Sequence, residues 1–330
     1  MDNFEPFLCL TLNEICKFLF CFSFPINCIY SYANRNYLPN SHFFFLQIVY
    51  SPTLLDFPNV SNSIVKPSLS VVVITYNEAV NIVRCIQSVR SIADEIVVVD
   101  SYSSDNTVAI AQSLGAVVYE HAFEGHIQQK NWAMHQAKSE WILSLDGDEC
   151  LSNSLIKEIE EWKNSFNPSN IDTPHAFWVK RLNHLAGKPI KGCGWYPDKK
   201  IRLWAAGSGQ WTGTNPHDRF ELSNSTALIG RFNGDLLHFT YNDFNQIKQQ
   251  ALKFGRIGAQ AIQSKFWGVL LLKSLASPQI KFLKNYFFKR GFLYGKDGWV
   301  ICYWQWRESL LKYSLGFLLS IKRSFGLTQS

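Results

Sequence analysis

Asp146-Gly147-Asp148-Glu149 sets two carboxylates one glycine apart. Such a pair can converge on one hard divalent cation, and glycine permits the close turn between them. Mg²⁺ or Mn²⁺ held this way keeps coordination positions open for substrate phosphates. The same residues also read as an acidic turn ahead of a helix capped by Ser152, so both readings stay open. Asp100, in Asp100-Ser-Tyr-Ser-Ser-Asp105, can accept hydrogen bonds from a base or a ribose, while Asp105 reads as a helix N-cap. In Thr75-Tyr76-Asn77-Glu78, Tyr76 can cover a base and Glu78 can bind its edge. Asn77 there also reads as an N-cap. Lys130 can pair with a diphosphate or lie on a solvated helix face.

These residues need a scaffold that brings them together, and the apolar pattern supplies one. Leu69–Ile74, Ile96–Val99, Ala116–Tyr119 and Trp141–Leu145 are short, mostly β-branched or aromatic runs. They suit strands buried on both faces of a parallel sheet. Between them, Ile82, Val83, Ile86 and Val89 recur at helical spacing, and helices are expected from Asp105 to Leu114, around Ile127–Ala137 and after Ser152. Alternating strands and helices imply an α/β fold with a mostly parallel sheet and helices on both faces. Ligands of such sheets bind beyond the carboxyl ends of the strands, where Thr75, Asp100 and Asp146 fall. No G-x-G-x-x-G or P-loop signature accompanies these turns, which argues against dinucleotide and P-loop sites.

Composition narrows the class further. Among 330 residues, 47% are hydrophobic and 18% charged, which excludes both a disordered chain and a polytopic membrane protein. Eight cysteines without any C-x-x-C pair exclude a disulfide scaffold and a zinc ribbon. Net charge is −2 over residues 1–65, −3 over 66–237 and +11 over 238–330. A C-terminal quarter so basic should meet something anionic. Residues 1–65 are rich in Phe, Asn and Ser and read as an extension with two candidate origins: a weak membrane anchor, or a start assigned upstream of the true one, for instance a GUG codon at Val65. Peptides from residues 1–64 in the native protein would decide it.

Ser70–Glu78, Val98–Thr107, Gln129-Lys-Asn-Trp132 and Leu145–Glu149 together resemble family 2 glycosyltransferases of GT-A fold, in that family's order and spacing. The closest likeness is to lipopolysaccharide-core β-1,4-glucosyltransferases. The resemblance covers about residues 66–240 well, with 241–330 as a helical membrane-interface or acceptor segment. It implies an inverting transferase that moves a sugar, expected to be glucose, from a UDP-sugar or similar donor to a lipid-linked or lipopolysaccharide-core acceptor. Thr75, Asn77, Glu78, Asp100, Lys130 and Asp146 match its donor-binding positions. Asp146 and Asp148 match its D-x-D, for Mg²⁺ or Mn²⁺.

Inversion in one displacement needs a general base for the acceptor hydroxyl. The resemblance points to Asp218, beside His217, where relatives commonly have His-Glu; Asp198 is the runner-up. Trp195, Arg202 and His217 are expected on the acceptor side, and His238 is either a buried core histidine or a metal ligand. Basic side chains mixed with Trp and Phe after residue 243 suit an interfacial helix on an anionic bilayer. A peripheral position on the inner face of the cytoplasmic membrane, with no nucleic-acid partner, follows as an expectation. The non-catalytic alternative, a basic membrane- or nucleic-acid-binding scaffold, leaves the three acids Asp146, Asp148 and Asp218 without a role.

Overall fold

The computed structural model describes residues 66–325 except 171, 215 and 216, so the expectation for residues 1–65 lies outside the described residues. Four strands form in the order read from the sequence: β1 (Leu69–Thr75), β2 (Glu95–Asp100), β3 (Val117–Glu120) and β4 (Trp141–Asp146). They lie parallel, in the spatial order β3-β2-β1-β4. Every residue of β1 is buried, because both faces of the sheet are covered. Leu69, Val71 and Val73 pack against Ile82 and Ile86 of α1 (Ile82–Val89) and against Leu155 and Ile159 of α4 (Asn153–Ser165). Val72 and Ile74 belong to the cluster on the other face, with Ala133 of α3 (His126–Met134). Each such side chain, fully buried, contributes roughly 1.5–3 kcal/mol. Between β2 and β3 runs α2 (Thr107–Ser113), and Gly115 follows it at φ +84, the left-handed turn expected there.

Beyond β4 the sheet departs from the parallel pattern. β5 (Glu149–Leu151), β6 (Ala176–Leu185), β7 (Lys188–Pro189), β8 (Asp198–Ala205) and β11 (Ile229–Tyr241) complete it. The order continues β4-β8-β6-β11-β5, with β7 on β6. β8 runs antiparallel to β4 and β6, and β5 runs antiparallel to β11, while β6 and β11 are parallel. The mixed part is what carries Arg202 of β8 back to the end of β4. A separate hairpin, β9 (Gly209–Thr214) with β10 (His217–Leu222), covers one face through Trp211 and Phe220.

Three helices close the described chain: α5 (Phe244–Ile262), α6 (Trp267–Leu283) and α7 (Gly295–Ser324). A π-helical turn (Lys284–Phe288) and a 3₁₀ turn (Gly291–Tyr294) link the last two. Asp243 caps α5 by accepting from the Gln246 N–H at 2.9 Å. Leu185, Ile190 and Cys193 pack with Ile247, Ile301 and Cys302, which fixes the helices to the end of β6. The change to helix at 241 therefore falls within one compact unit.

Two local expectations are corrected. Asn77 is not an N-cap, since α1 starts only at Ile82; it sits at φ +54, a conformation Asn tolerates. Asp105 caps from one residue further out than usual, accepting from the Thr107 N–H at 3.0 Å.

Candidate active site

Two cavities meet at the carboxyl ends of β1 and β4. One, of about 280 Å³, is lined by Thr75, Tyr76, Glu78, Ser101, Phe123 and the Asp146-Gly147-Asp148 turn. The other, of about 510 Å³, is lined by Lys130, Arg181, Lys200, Arg202, Trp211 and Asp218 among others. His126, Asp146 and His238 line both.

The first cavity is built by backbone crossing points. The Gly147 N–H donates to the Ile74 carbonyl at 2.9 Å, so the acidic turn folds over the end of β1. A Cβ on Gly147 would come within 2.7 Å of Thr75 Oγ1, so glycine is required by close approach. Thr75 Oγ1 is buried and has no hydrogen-bond partner among the described residues. Glu78 accepts from Asn81 Nδ2 at 2.6 Å; burial pushes its carboxyl above the ordinary value, and the neighbouring Asp148 adds to that.

Asn77 and Asp100 hold the loops beside the cavity through hydrogen bonds to Ser103 and Ser104. Asn77 Oδ1 accepts from the Ser104 N–H at 2.8 Å, and its own N–H donates to Ser103 Oγ at 2.7 Å. Asp100 is wholly buried and holds both the N–H and the hydroxyl of Ser103. Ser101 is the residue of that loop that reaches the cavity. Buried Gln129 positions it, donating from Nε2 to Ser101 Oγ at 3.1 Å and to the His121 carbonyl at 3.2 Å.

The second cavity is organised by charge. Lys130 Nζ lies 3.1 Å from Asp146 Oδ1, an ion pair without hydrogen-bond alignment, and donates to Asp218 Oδ2 at 2.8 Å. It also sits 4.5 Å from the centre of the Trp211 ring. The adjacent Asn131 makes this meeting possible. Its side chain donates to the Trp211 carbonyl and accepts from the Trp211 N–H, both at 2.9 Å, which pins the β9–β10 hairpin to α3. Asp218 pairs with Gly213 across that hairpin and so arrives beside Lys130. The His217 side chain lies outside the described residues.

Antiparallel pairing of β8 with β4 brings Arg202 to Asp146. Arg202 is only 2% exposed; it donates to Glu149 Oε1 at 2.6 Å and to Asp146 Oδ2 at 3.1 Å. Glu149 is fully buried and accepts the Asp146 N–H on its other oxygen at 3.0 Å. Arg202 therefore positions Asp146, and it also lines the second cavity. Arg181, opposite Asp198 in the β6–β8 register, donates to that carboxylate at 2.7 and 2.9 Å. Both bonds end on Oδ2, and Lys200 Nζ lies 3.8 Å from Oδ1. Trp195 packs with Tyr241 and the Leu185–Ile190 cluster, and Trp211 lines the second cavity.

The electrostatic outcome separates the acids. Burial alone would raise Asp146, but Lys130, Arg202 and Arg181 outweigh it and hold the carboxyl well below the usual range. Burial likewise opposes the shift of Asp218, and Lys130 again prevails and lowers it. Asp146 thus lies between Lys130 and Arg202, with Oδ1 buried and without a hydrogen-bond partner. Asp148 has its Oδ2 3.1 Å from His238 Nε2. Asn183 Oδ1, in register with His238 across β6 and β11, lies 2.7 Å from the other ring nitrogen. Among the described residues no group of three His, Cys, Asp or Glu side chains could hold a metal ion. The Asp148 carboxylate is the hard oxygen ligand that Mg²⁺ or Mn²⁺ takes together with substrate phosphates and water, so it fits such an ion.

Glu149, Arg181, Asn131 and Gln129 had no individual sequence signal, although Gln129 and Asn131 flank Lys130 in the quoted motif.

A model described as glycosyl transferase family 2 matches residues 70–192. An uncharacterised glycosyltransferase of Rickettsia typhi is 32% identical over 241 residues, covering 70% of this chain and 80% of that one. The lipopolysaccharide core biosynthesis glycosyltransferase LpsC of Rhizobium meliloti is 27% identical over 241 residues, covering 67% and 82%. Among solved structures, a mannosyltransferase of Pyrobaculum calidifontis in complex with GDP-mannose and Mn²⁺ is similar with a TM-score of 0.42 and 14% identity, covering 80% of this chain and 88% of that one.

Proposed function

Because this chain belongs to glycosyl transferase family 2, we propose that its two joined cavities hold the two substrates of an inverting hexosyl transfer. The nucleoside diphosphate sugar occupies the cavity beside Thr75, Glu78 and Ser101, with Tyr76 over the base. The acceptor occupies the cavity beside Lys200, Trp211 and Asp218. The observation that carries the reading is Lys130, one cation shared by an acid of the Asp146-Gly147-Asp148 turn and by Asp218.

The transfer asks four things of the chain. Asp218 takes the proton of the acceptor hydroxyl as its oxygen attacks the anomeric carbon and the bond to the diphosphate breaks. While paired with Lys130 it is a weak base. A diphosphate that draws Lys130 toward itself frees Asp218, so donor binding prepares the base. Asp146, fixed by Arg202 and Glu149, is left to accept a ribose hydroxyl. Asp148 and His238 would hold Mg²⁺ or Mn²⁺, which stabilises negative charge on the leaving diphosphate when bound.

Glucose is the sugar implied by the sequence resemblance, and a lipid-linked lipopolysaccharide-core glycan is the acceptor supported by the similarity to LpsC. Such an acceptor and a soluble nucleotide sugar would meet at the inner face of the cytoplasmic membrane. Two variants test the assignment. Asp218→Asn should retain donor affinity and lose about 100-fold or more in transfer, the scale of a general base. Asp148→Ala should lose the metal-dependent part of donor binding. Near-normal transfer by Asp218→Asn would return Asp198 to first place.

A further inference from the structure

α6 has its polarity reversed for a helix with one packed side. The stripe it buries against α7 is Leu270, Ser274 and Pro278. On the opposite side, Leu272 is 69% exposed, Leu275 65% and Leu283 50%. A helix packed on one face normally turns its leucines inward and polar residues outward. The apolar surface continues through the turns after α6, where Phe288 is 83% and Leu293 65% exposed. Beside it, Phe282, Leu283, Trp299, Tyr303 and Trp306 line an open groove of about 380 Å³ between α6 and α7.

Charge selects the occupant. From Phe244 to Lys296 the chain has ten Lys or Arg and no Asp or Glu. Lys273, Lys284, Lys289 and Arg290 are exposed along the apolar face or just beyond it. We propose that this face of α6, with the following turns and the aromatic groove, seats the protein on the surface of an anionic bilayer. Leucine and aromatic side chains enter the acyl boundary while the cations meet the headgroups. Among the described residues no helix is long and apolar enough to cross a membrane, so the contact is one of a helix lying in the interface. A second copy of the chain would oppose an equally cationic face to this one, which like-charge repulsion disfavours.

The proposal rests on the transferase reading only for its purpose, the presentation of a lipid-linked acceptor. Sedimentation of the full chain with vesicles, with neither donor nor acceptor present, tests it separately. Vesicles of phosphatidylethanolamine with one quarter phosphatidylglycerol should bind at least about tenfold better than phosphatidylcholine vesicles, because each basic residue near the surface adds about fivefold. Leu272→Glu combined with Leu275→Glu should abolish that binding while nucleotide-sugar affinity is kept, which also shows the variant to be folded. Lys284→Gln combined with Lys289→Gln, two surface changes with little risk to folding, should weaken it about tenfold or more. Equal binding to both vesicles, binding that survives the leucine changes, or a dimer without vesicle binding would each overturn the proposal.

Discussion

Lys130 decides the state of two acids. Asp218 is shifted down because the lysine outweighs its burial. A depressed carboxyl stays ionised at and above its usual titration near 3.9, and the stability it supplies is lost only as pH falls through the lower folded value. Removing the cation by Lys130→Met should raise the Asp218 pKa. The acid limb of kcat/KM would then move to higher pH, and acid unfolding would begin at higher pH too. A pH–rate profile with an unmoved acid limb would contradict Asp218 as the titrating base. At the same scale, the chemistry was only partly legible. Asp146, Asp148, Lys130 and Asp218 declare themselves by type and by motif, but Arg202 does not declare that its partner is Glu149, 53 positions earlier. That pairing is set by strand register, which no local spacing encodes. Trp195 and Trp211 are likewise the same residue type in one loop-rich stretch, and only the hairpin pinned by Asn131 sends the second to the cavity.

At the scale of elements, close approaches make glycines into site residues. A methyl group on Gly147 would press on Thr75 Oγ1 at 2.7 Å and on Glu78 Cγ at 3.2 Å, both on the wall of the proposed donor cavity. Gly147→Ala should weaken nucleotide-sugar binding about tenfold, within the 1–3 kcal/mol range of overpacking, with little loss of transfer from the bound state. Titration of the variant with donor checks it. Gly298 plays a structural part instead. A Cβ there would overlap the Gly291 carbonyl oxygen, where α7 crosses the preceding 3₁₀ turn. Gly298→Ala should cost about 1–3 kcal/mol and lower the melting temperature by several degrees, with donor affinity unchanged in the folded fraction. The four parallel strands were readable because each is a continuous buried run ended by a polar residue. The antiparallel strands β5 and β8 were not, because antiparallel or parallel pairing depends on partners far along the chain. Asn77 was misread for a related reason: its polar type fits a cap, but its left-handed backbone serves the loop that locks onto Ser103 and Ser104.

At the scale of the molecule, the charge asymmetry read from the sequence acquires a surface. Around the two cavities, Asp146, Glu149, Asp198 and Asp218 are matched by Lys130, Arg181 and Arg202. The excess of cations lies on the helices, beside exposed leucines and aromatics. Catalytic cleft and proposed membrane face are thus separate regions of one chain, and they should fail separately on substitution. The central claim, transfer from a metal-bound nucleotide sugar, is tested most directly by calorimetric titration of the full chain with a panel of nucleotide sugars, in Mn²⁺ and again in EDTA. The account predicts that one donor, expected to be UDP-glucose, binds in Mn²⁺ and binds at least about tenfold more weakly in EDTA, an appreciable share of a diphosphate site held through the ion. A folded protein that binds none of the panel in either condition, with or without anionic vesicles, would contradict it.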